Sequence, residues 1–546
     1  MSLMFKESNF IKTIIQKDLK QKKYNQIITR FPPEPNGFLH LGHARAIIIN
    51  FELAKYFNGK TYLRYDDTNP NVEEQKYVDF ILQDVRWLGY EPDKICFASD
   101  YFDEIFEKAI ILIKKGLAFV DDFTPEEIKK QRGDLFRSGQ ISHCRDRKIE
   151  ENLDLFLKMK EGFFPEGTKT LRAKIDMASS NMNLRDPILY KILDAYTLKK
   201  KHYFIFPLYD FAHPLEDAIE GISHSLCSLE FENHRPLYEW VLKETETKHV
   251  PTQIEFGRLN INKIVLSKKK LKLLVNSGLV SGWDDPRMPT LRGMKNRGYT
   301  PESIKNFILG IGLSKNNSHI NPEMLESCLR EDLQNKAKKI MVVSDPLKVT
   351  IINYPDNKIE YRDIPYHNKI DLGMRKVFFS KHLYIDKTDF QMEKLDIKSK
   401  KFCLNEEVRF FYFYFIKAIE VIKNSKGEII EILATYDPKT KSGTNFKERK
   451  PNGTIHFVEM NTAKQSCLNF YQPLFQKDNP QNLENDFNHS SLQEKEGFIE
   501  GGVENILKND KFQFIRKGYF IFVNKEKKIP RFNEIISLKK INKEKK

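Results

Sequence analysis

Residues 26–67 constrain the fold most, because an extended pattern, a helical pattern and a second extended pattern follow one another within this short stretch. A helix between two strands forms a β–α–β unit, and such a connection makes the two strands parallel. The sequence therefore predicts an α/β protein with a parallel sheet. The successive pieces are an apolar strand at 27–31, a proline-rich turn at 32–37, an apolar helix at 44–57 that stops at Asn58-Gly59, and a strand at 61–65.

The pattern changes along the rest of the chain. Residues 103–201 are rich in charge and helical at first, and the apolar run at 203–206 again indicates the β–α–β pattern, so the segment between is predicted to be an insertion. Residues 271–339 have helical periodicity, and Thr300-Pro301 is typical of a helix start. Short strand-like runs separated by turn residues then predict β-barrels. These runs are 348–352, 408–415, 428–432 and 454–458, and the basic tail at 539–546 is predicted to be frayed.

Positive charge exceeds negative charge in this chain of 546 residues. Lysine and arginine number 90 against 75 acidic residues, which gives a formal net charge of +15 and a pI of about 9.1. This excess indicates either a nucleic-acid partner, whose phosphates it would neutralise, or a lysine-rich surface without such a partner. The mean hydropathy of −0.53 and the hydrophobic content of 40% describe a globular protein with several cores.

The cysteines and the apolar runs bear on the compartment. The six cysteines are scattered and none has C-x-x-C spacing, which predicts a reduced, cytoplasmic protein without a zinc ribbon. No apolar run is long enough, at about 18 residues, to predict a membrane span, and the start of the chain lacks a signal-peptide pattern. One helical face there carries Phe10, Ile11, Ile14, Ile15 and Leu19 instead.

The tetrapeptide His40-Leu41-Gly42-His43 lies where the first predicted strand and its turn lead into the helix. Free N–H groups at a helix N-terminus bind anions, and two imidazoles three positions apart could both reach a triphosphate. Gly42 has no Cβ, so a flat adenine ring could approach its backbone. The alternative interpretation is that these are ordinary polar residues at a helix start.

A longer segment around this tetrapeptide carries a family resemblance. Residues 30–43, Arg-Phe-Pro-Pro-Glu-Pro-Asn-Gly-Phe-Leu-His-Leu-Gly-His, resemble the HIGH-motif segment of the class I glutaminyl-tRNA synthetases. Residues 265–271, Val-Leu-Ser-Lys-Lys-Lys-Leu, resemble the KMSKS loop of that family, with Leu266 in place of a methionine of similar size. The resemblance covers essentially the whole chain. Further matching segments are 63–70, 171–177, 185–187, 283–290, 453–457 and 512–514.

The resemblance implies a multidomain α/β architecture and a set of partners. The expected partners are tRNA(Gln), L-glutamine and ATP, with Mg²⁺ carried by the nucleotide, no metal site of the protein, no membrane contact and a monomeric state. The implied domains are a Rossmann-like catalytic domain at 1–102 plus 203–265, an inserted acceptor-stem-binding domain at 103–202, a helical domain at 266–338 that begins with the KMSKS-like loop, and two anticodon-binding β-barrels at 339–546.

The implied reaction has two steps. The glutamine carboxylate attacks the α-phosphorus of ATP and gives glutaminyl-adenylate and pyrophosphate; the 2′-OH of the terminal tRNA adenosine then attacks the adenylate and releases AMP. Because the substrate carboxylate is itself a nucleophile, the protein needs to align the reactants and stabilise phosphate charge. By resemblance, His40, His43 and Lys268 are the catalytic residues. The expected ATP site comprises Glu34, Pro35, Asn36, His40, Leu41, Gly42, His43, Ala44, Arg45, Ala46, Ser228, Arg258, Leu259, Leu266, Ser267 and Lys268.

The implied glutamine site centres on Asp66, at the carboxyl end of the second predicted strand, where sites in open parallel sheets lie. Its carboxylate would pair with the α-ammonium group, and Tyr209 would hydrogen-bond the side-chain amide. From the residues alone, Asp66 is more simply interpreted as a turn or helix cap. Tyr209 is more simply interpreted as a core residue. Arg30, His213 and Gln253 complete the expected set.

The nearest alternative is a glutamyl-tRNA synthetase of the archaeal and eukaryotic type, which shares the fold and most motifs. Such enzymes tend to carry arginine where Cys227 stands, and an uncharged thiol cannot pair with the γ-carboxylate of glutamate. The segment 209–213, Tyr-Asp-Phe-Ala-His, also follows the glutamine pattern. A small buried hydrophobe is the plain interpretation of Cys227, and it fits either enzyme.

Five positions are expected to contact tRNA by the same resemblance: Leu135, Asn233, Lys401, Arg409 and Gln513. In the family, the residue at Leu135 helps to open the first acceptor pair. Asn233 stands where an aspartate reads the acceptor-stem minor groove, and asparagine can donate as well as accept a hydrogen bond.

Two alternatives belong to other classes of protein. A nucleotidyltransferase would also carry H-x-G-H, but such proteins are usually far shorter and lack the carboxy-terminal barrels. A synthetase-like RNA-binding protein that has lost activation would show damage at His40, His43, Asp66 or Lys268, and all four are present.

Overall fold

The computed structural model describes residues 9–394, 396, 398–478, 480–526 and 528–538. The predicted frayed tail at 539–546 lies outside the described residues. The chain divides into two compact units. Of the described residues, the first unit contains 9–261, 266–269 and 305–320, and the second contains 262–265, 270–304 and 321–538.

The first unit opens with a parallel sheet of strand order β1-β2-β3. Ile28 pairs with Lys60 and Phe31 with Leu63, so the predicted β–α–β unit is confirmed. The connecting helix is apolar on most sides because it packs inside the unit, and Ile47 is fully buried. The elements are α1 (Phe10–Lys20), β1 (Ile28–Phe31), α2 (Leu41–Tyr56), β2 (Lys60–Tyr65), α3 (Gln75–Trp87), β3 (Lys94–Phe97) and α4 (Phe102–Lys114).

A four-stranded antiparallel sheet follows, with strand order β4-β5-β6-β7. Its segment contains β4 (Ala118–Asp121), α5 (Pro125–Gln131), α6 (Ile149–Lys160), β5 (Thr170–Ala173), β6 (Ile188–Tyr196) and β7 (His202–Pro207). The prediction that the β–α–β pattern returns at 203–206 is wrong, because these residues lie in β7, which pairs antiparallel with β6. The N–H of Thr197 donates to the carbonyl of Lys201 and closes a tight turn between the strands, and so short a connection permits only antiparallel pairing.

The parallel arrangement resumes with α7 (Tyr209–Ile219), β8 (His224–Ser228), α8 (Arg235–Glu244), β9 (Thr252–Phe256) and β10 (Leu259–Ile261). β8 and β9 are parallel, and β8 lies beside β1: the N–H of Ser223 donates to the carbonyl of Ile28 at 2.9 Å. β8 and β9 therefore lie on one side of β1, and β2 and β3 lie on the other side. In open α/β sheets, ligands bind outside the carboxyl ends of the strands at such a reversal.

The segment after β10 is mainly helical, as its periodicity predicts. It contains α9 (Lys268–Asn276), α10 (Leu291–Arg297), α11 (Pro301–Ile311), β11 (Ser318–Ile320) and α12 (Pro322–Gln334). The predicted helix start at Thr300-Pro301 is confirmed by α11. The exception is β11, which pairs parallel with β10.

The regular secondary structure of the second unit is mainly β-strand, in two seven-stranded sheets and shorter pairs. The sheet orders are β23-β20-β21-β22-β14-β17-β24 and β12-β27-β28-β29-β25-β26-β13, and each encloses its own apolar cluster. These barrel-like sheets confirm the predicted class of the carboxy-terminal region. The strands are β12 (Lys338–Ile340), β13 (Val342–Val343), β14 (Pro346–Ile351), β15 (Glu360–Pro365), β16 (Met374–Phe379), β17 (His382–Asp386), β18 (Phe390–Gln391), β19 (Phe402–Cys403), β20 (Glu407–Phe410), β21 (Phe415–Lys423), β22 (Ile429–Asp437), β23 (Thr454–Ile455), β24 (Val458–Glu459), β25 (Lys464–Tyr471), β26 (Leu492–Ile499), β27 (Lys511–Phe514), β28 (Gly518–Glu526) and β29 (Ile529–Ser537).

Two predicted strands of this region are broken. The apolar run at 408–415 is a hairpin rather than one strand, because Tyr412 has a φ of 70° and the chain turns there between β20 and β21. The run at 454–458 divides into β23, which pairs with β20, and β24, which pairs with β17. Both runs are apolar because the residues on either side of the break are buried.

All six cysteines are free. Among the described residues, no helix combines the length and the apolar character that crossing a membrane requires.

Candidate functional site

The two histidines of the tetrapeptide cap helix α2. His40 is the N-cap residue, and its Nδ1 accepts the N–H of Gly42 at 3.1 Å. Nδ1 of His43 in turn accepts the N–H of His40 at 3.1 Å, and the two ring centroids lie 3.9 Å apart. Because both Nδ1 atoms are acceptors, the proton of each neutral ring lies on Nε2, which can donate to a ligand.

Burial decides the charge of this pair. Burial, the neighbouring His43 and the Lys268 ammonium hold the pKa of His40 well below its ordinary value. Burial and Lys268 lower the pKa of His43 to about 4. At neutral pH both rings are therefore uncharged hydrogen-bond donors, and Lys268 is the cation of this group.

Two glycines make room for the side chains around the start of α2. A Cβ on Gly42 would lie 2.8 Å from Cε1 of His40, and one on Gly37 would lie 2.6 Å from Cε of Lys268. Leu266 also approaches, with Cδ1 at 3.9 Å from the Gly42 position. The segment around Lys268 thus lies against the segment around His40, as the resemblance implies for a two-part phosphate site.

The other predicted ATP residues lie in several different settings. The side chains of Leu41, Ala44 and Arg45 are buried, so they face the interior of the unit rather than solvent. Ser228 and Arg258 instead meet at Glu230, with Oγ of Ser228 and Nη2 of Arg258 at 2.7 and 2.6 Å from its carboxylate. The turn before α2 holds Glu34, Pro35 and Asn36, α2 holds Ala46, β10 begins with Leu259, and Ser267 directly precedes α9.

Three of the predicted glutamine-binding residues, Tyr209, His213 and Gln253, line one small cleft together with Cys227 and Phe231. The ring of Tyr209 stacks on that of His213, with centroids 4.8 Å apart and planes inclined by 16°. Burial raises the pKa of the Cys227 thiol to about 12 and lowers that of His213 well below its ordinary value. Both groups are uncharged at neutral pH.

Arg30 lies behind this cleft with its guanidinium engaged on every nitrogen. Its Nε donates to Asp217 at 2.9 Å and its Nη1 to the carbonyl of Leu226 at 2.8 Å. Its Nη2 lies 2.7 Å from both Nε2 of His213 and Oγ of Ser225. Arg30 is 1% exposed, so its charge is paired inside the protein and it orients His213 from behind.

Asp66 follows β2, and one of its oxygens accepts both the N–H and the hydroxyl of Thr68, at 3.3 and 2.8 Å. Asp66 therefore does cap a turn, as the simpler interpretation of this residue predicts. Burial raises the pKa of Asp66, and the Thr68 hydroxyl and Arg64 oppose that shift. Glu73 lies nearby, and burial together with the charges of Asp67, Asp66 and Glu34 raises its pKa to about 9. Sequence reasoning missed this acidic corner.

A buried ion-pair network on α7 was also missed. Arg64 of β2 contacts Glu216, Asp217 and Glu220 at 3.0, 2.8 and 2.9 Å, and all four side chains are nearly inaccessible to solvent. Because Glu216 and Glu220 are four residues apart, they lie on one face of the helix. In the sequence, that spacing is typical of an exposed acidic face; the only contrary signal is the apolar context of residues 211–218.

The predicted tRNA residues occupy different settings. Leu135 is 77% exposed at a loop tip, and Asn233 and Lys401 are exposed. Nη1 of Arg409 instead donates to the carbonyls of Phe413 and Thr440 and to the hydroxyl of Ser442, so part of its guanidinium is committed to its own sheet. Gln513 lies in β27, opposite Lys339.

Two groups of side chains in the described part of the chain are close enough together to hold a metal ion: Asp122, His143 and Cys144, and Asp386, Asp389 and His456. Cationic side chains already pair with the carboxylates of both groups. Arg147 and Lys169 contact Asp122, and Lys517 and Arg516 contact Asp386 and Asp389. Positive side chains in these positions would oppose a bound metal ion.

Family models match nearly the whole chain. Residues 26–335 match the catalytic domain of "tRNA synthetases class I (E and Q)", and residues 337–437 and 454–523 match two anticodon-binding domains of the same group. The chain is 51% identical over 542 residues to the glutamine–tRNA ligase of Clostridium perfringens, covering 97% of this chain and 98% of the relative. It is 50% identical to that of Clostridioides difficile, with 97% and 98% coverage, and 47% identical to that of Pseudomonas syringae, with 97% and 95%.

Proposed function

The chain belongs to the class I tRNA synthetases of the glutamate and glutamine group, and on that premise we propose that it is a glutamine–tRNA ligase. It activates L-glutamine with ATP to glutaminyl-adenylate and pyrophosphate. It then transfers the glutaminyl group to the 2′-OH of the terminal adenosine of tRNA(Gln) and releases AMP. The similarity to ligases of that name over nearly the full length supports this choice within the group.

The observation that favours glutamine over glutamate as the amino acid substrate is the neutral cleft around Cys227. Of the described residues that line it, none is lysine or arginine, and its His234 already pairs with Asp210 at 2.8 Å. The nearby Arg30 is neutralised by Asp217 at 2.9 Å. A γ-carboxylate placed there would lack a counter-charge, whereas an amide needs only hydrogen-bond partners.

In this proposal the residues have distinct roles. The Nε2 atoms of His40 and His43 and the ammonium group of Lys268 bind the triphosphate and stabilise its charge as the α-phosphorus is attacked. Asp66 pairs with the α-ammonium group of glutamine, and the Tyr209 hydroxyl binds the side-chain amide, while Arg30 holds His213 in place.

Magnesium would be carried by ATP, and its charge would help to balance that of the nucleotide. The donor set fits that role, because the two imidazoles are neutral and Lys268 supplies a single positive charge against a triphosphate. The ion would supply additional charge neutralisation on the phosphates. The site residues of the protein orient the nucleotide and exclude water from it.

The test is ATP–pyrophosphate exchange with glutamine or glutamate, each with and without tRNA(Gln). We expect exchange with glutamine and tRNA together, as is typical of the family, and none above background with glutamate. Robust exchange with glutamate would overturn the specificity. Exchange without tRNA would overturn only the dependence on tRNA.

A matched pair of variants makes the test specific to the cleft. Cys227→Arg places a cation where the thiol stands, and we expect it to lower kcat/KM for glutamine at least tenfold and to permit measurable use of glutamate. Cys227→Ser keeps a small neutral group and should retain glutamine use within about threefold. If both variants behave alike, the charge of this position does not set the specificity.

A further inference from the structure

A cleft of about 340 Å³ opens on the surface of the inserted segment, where the loop after α6 meets β6 and β7. Small-molecule sites in proteins begin at about 300 Å³, so the cleft is large enough to hold a ligand. It shares no residue with the expected ATP, glutamine or tRNA sites. Its lining consists of a buried isoleucine, three phenylalanine rings, two carboxylates, a glycine and a proline: Ile192, Phe163, Phe164, Phe204, Glu166, Asp194, Gly162 and Pro165.

Hydrogen bonds at both ends of the loop at 161–168 fix the shape of the cleft. The N–H of Phe163 donates to the carbonyl of Lys158, in the last turn of α6, at 3.0 Å. Oε1 of Glu166 accepts the N–H of Asp194, in β6, at 2.9 Å. Because the loop is tied to a helix on one side and to a strand on the other, the cleft exists before a ligand binds, and binding requires little ordering of the protein.

The phenylalanine rings provide a surface that attracts cations. Phe163 is 66% exposed. Phe204 packs directly against the loop because Gly162 has no Cβ: a Cβ there would lie 2.8 Å from the ring. Ammonium groups bind over the faces of such rings. Lys169, which does not line the cleft, already places its ammonium group 4.9 Å from the ring centroid of Phe164.

The charge of the cleft is negative. Of the described residues that line it, the charged ones are Glu166 and Asp194, and no lysine or arginine in the described part of the chain pairs with either. Nε2 of His202 lies 2.6 Å from one oxygen of Asp194, whose side chain is still 60% exposed. The chain as a whole carries a net charge of +15. This cleft therefore attracts a cation and repels phosphate groups.

Two carboxylates beside apolar rings fit a molecule with more than one ammonium group and an aliphatic chain between them. Each ammonium group pairs with a carboxylate, while the methylene groups contact the rings, as lysine stems do on apolar surfaces. A partner protein would need roughly 800 Å² of this surface. The cleft is bounded by one loop and two strands, so its size favours a small free cation.

We propose that this cleft binds a free aliphatic polyamine, with ammonium groups at Glu166 and Asp194 and the methylene chain against the rings of Phe163 and Phe204. The binding is non-covalent and reversible. Because the cleft is separate from the residues assigned to amino acid activation, this site does not depend on the proposed function.

Isothermal titration calorimetry of the full chain with spermidine, without tRNA, tests the affinity and the class of ligand. We expect one site per chain with a Kd on the order of 0.1–1 mM. An uncharged diol of the same chain length should not bind, and Nα-acetyl-lysine amide, with a single ammonium group, should bind at least about tenfold more weakly. Equal binding of the lysine amide, or a spermidine Kd above about 10 mM, would overturn the proposal.

Matched variants test the assigned residues. Asp194→Asn and Phe163→Ser should each raise the Kd for spermidine at least about threefold, whereas Phe163→Tyr keeps the ring and should stay within about twofold of the wild type. The controls are Asp154→Asn, a carboxylate of α6 that is 58% exposed, and Phe136→Ser, a phenylalanine that is 96% exposed. Neither control lines the cleft, and neither should change the Kd. If controls and cleft variants weaken binding alike, the polyamine binds the acidic surface at large and the proposal is wrong.

Methyl resonances locate the ligand independently of its affinity. In the full chain labelled at the ¹³Cδ1 position of isoleucine, the resonance of Ile192, assigned with Ile192→Val, should shift as spermidine is added. Ile149, at the start of α6 and outside the cleft, should not shift. A saturable shift of Ile149 without one of Ile192 would place the ligand elsewhere and overturn the assignment of this cleft.

Discussion

Two imidazoles and one ammonium group meet at the amino end of α2, and burial determines which of them is charged. His40 and His43 accept backbone N–H groups at Nδ1, and desolvation together with Lys268 disfavours a second proton on either ring. A bound triphosphate would reverse that balance, because negative charge beside an imidazole favours its charged form.

The charge state of His43 can be measured directly. In the full chain with ¹³Cε1-labelled histidine, we expect the His43 resonance, assigned with His43→Asn, not to titrate between pH 5 and 8, because its pKa is about 4. A non-hydrolysable ATP analogue should move its midpoint upward. His234, whose pKa the Asp210 carboxylate raises, should titrate in the same spectra. A His43 midpoint near 6.5 in the free protein would contradict the burial argument.

Gly42 shows how far a residue can be interpreted from sequence alone. The motif predicts a glycine because a ligand approaches the backbone there. The structure adds a reason within the protein, since a Cβ would lie 2.8 Å from the ring of His40. Arg30 could be placed near the glutamine site by resemblance. Its commitment to Asp217 and Leu226 depends on strands and a helix far apart in sequence, so it could not be predicted.

Helix α7 is fixed to the sheet by charge as well as by apolar packing. Arg64 of β2 reaches Glu216 and Glu220, while Asp217 between them also receives Arg30. Burying ions is costly, and the pairing offsets that cost only while every partner is present. The position of Tyr209 and His213 at the start of α7 therefore depends on this network.

We expect Arg64→Met to destabilise the protein by about 3–5 kcal/mol, because three buried acidic side chains lose their shared cation. For a protein of this size, that loss lowers the midpoint of thermal unfolding by roughly 3–8 °C at a fixed scan rate. Arg86→Met is the control, since Arg86 pairs with Glu91 on the surface, where both side chains are more than half exposed. A similar small shift in both variants would show that the buried network does not hold α7.

Whether a segment forms a helix or a strand can be predicted from its sequence pattern where only one structure fits that pattern. The β–α–β unit at 28–65 could be predicted because the hydrophobic periodicity, the proline-rich turn and the helix stop all indicate the same arrangement. The run at 408–415 could not, because burial on both sides of a hairpin gives the same apolar letters as one strand. The apolar run at 203–206 does not show which sheet β7 joins, because the tight turn at 197–201 sets its pairing with β6.

At the scale of the whole molecule, the sequence leaves the meaning of the +15 charge open between an RNA partner and a lysine-rich surface. The anticodon-binding family models at 337–437 and 454–523 favour the first interpretation. The domain boundaries at 102, 202, 265 and 338 remain proposals. The two compact units are defined by contacts between residues rather than by position along the chain. The first unit includes residues 305–320, which lie in the middle of the helical segment.

Salt dependence distinguishes the two interpretations of the charge. If cationic side chains displace counterions from about four or more phosphates, the Kd for tRNA(Gln) should rise at least about a hundredfold between 50 and 200 mM KCl. The KM for glutamine at saturating tRNA should change less than about twofold over the same range, because its cleft is neutral and enclosed salt bridges are screened little. A rise in Kd of less than about threefold would mean that the positive surface does not contact the RNA backbone.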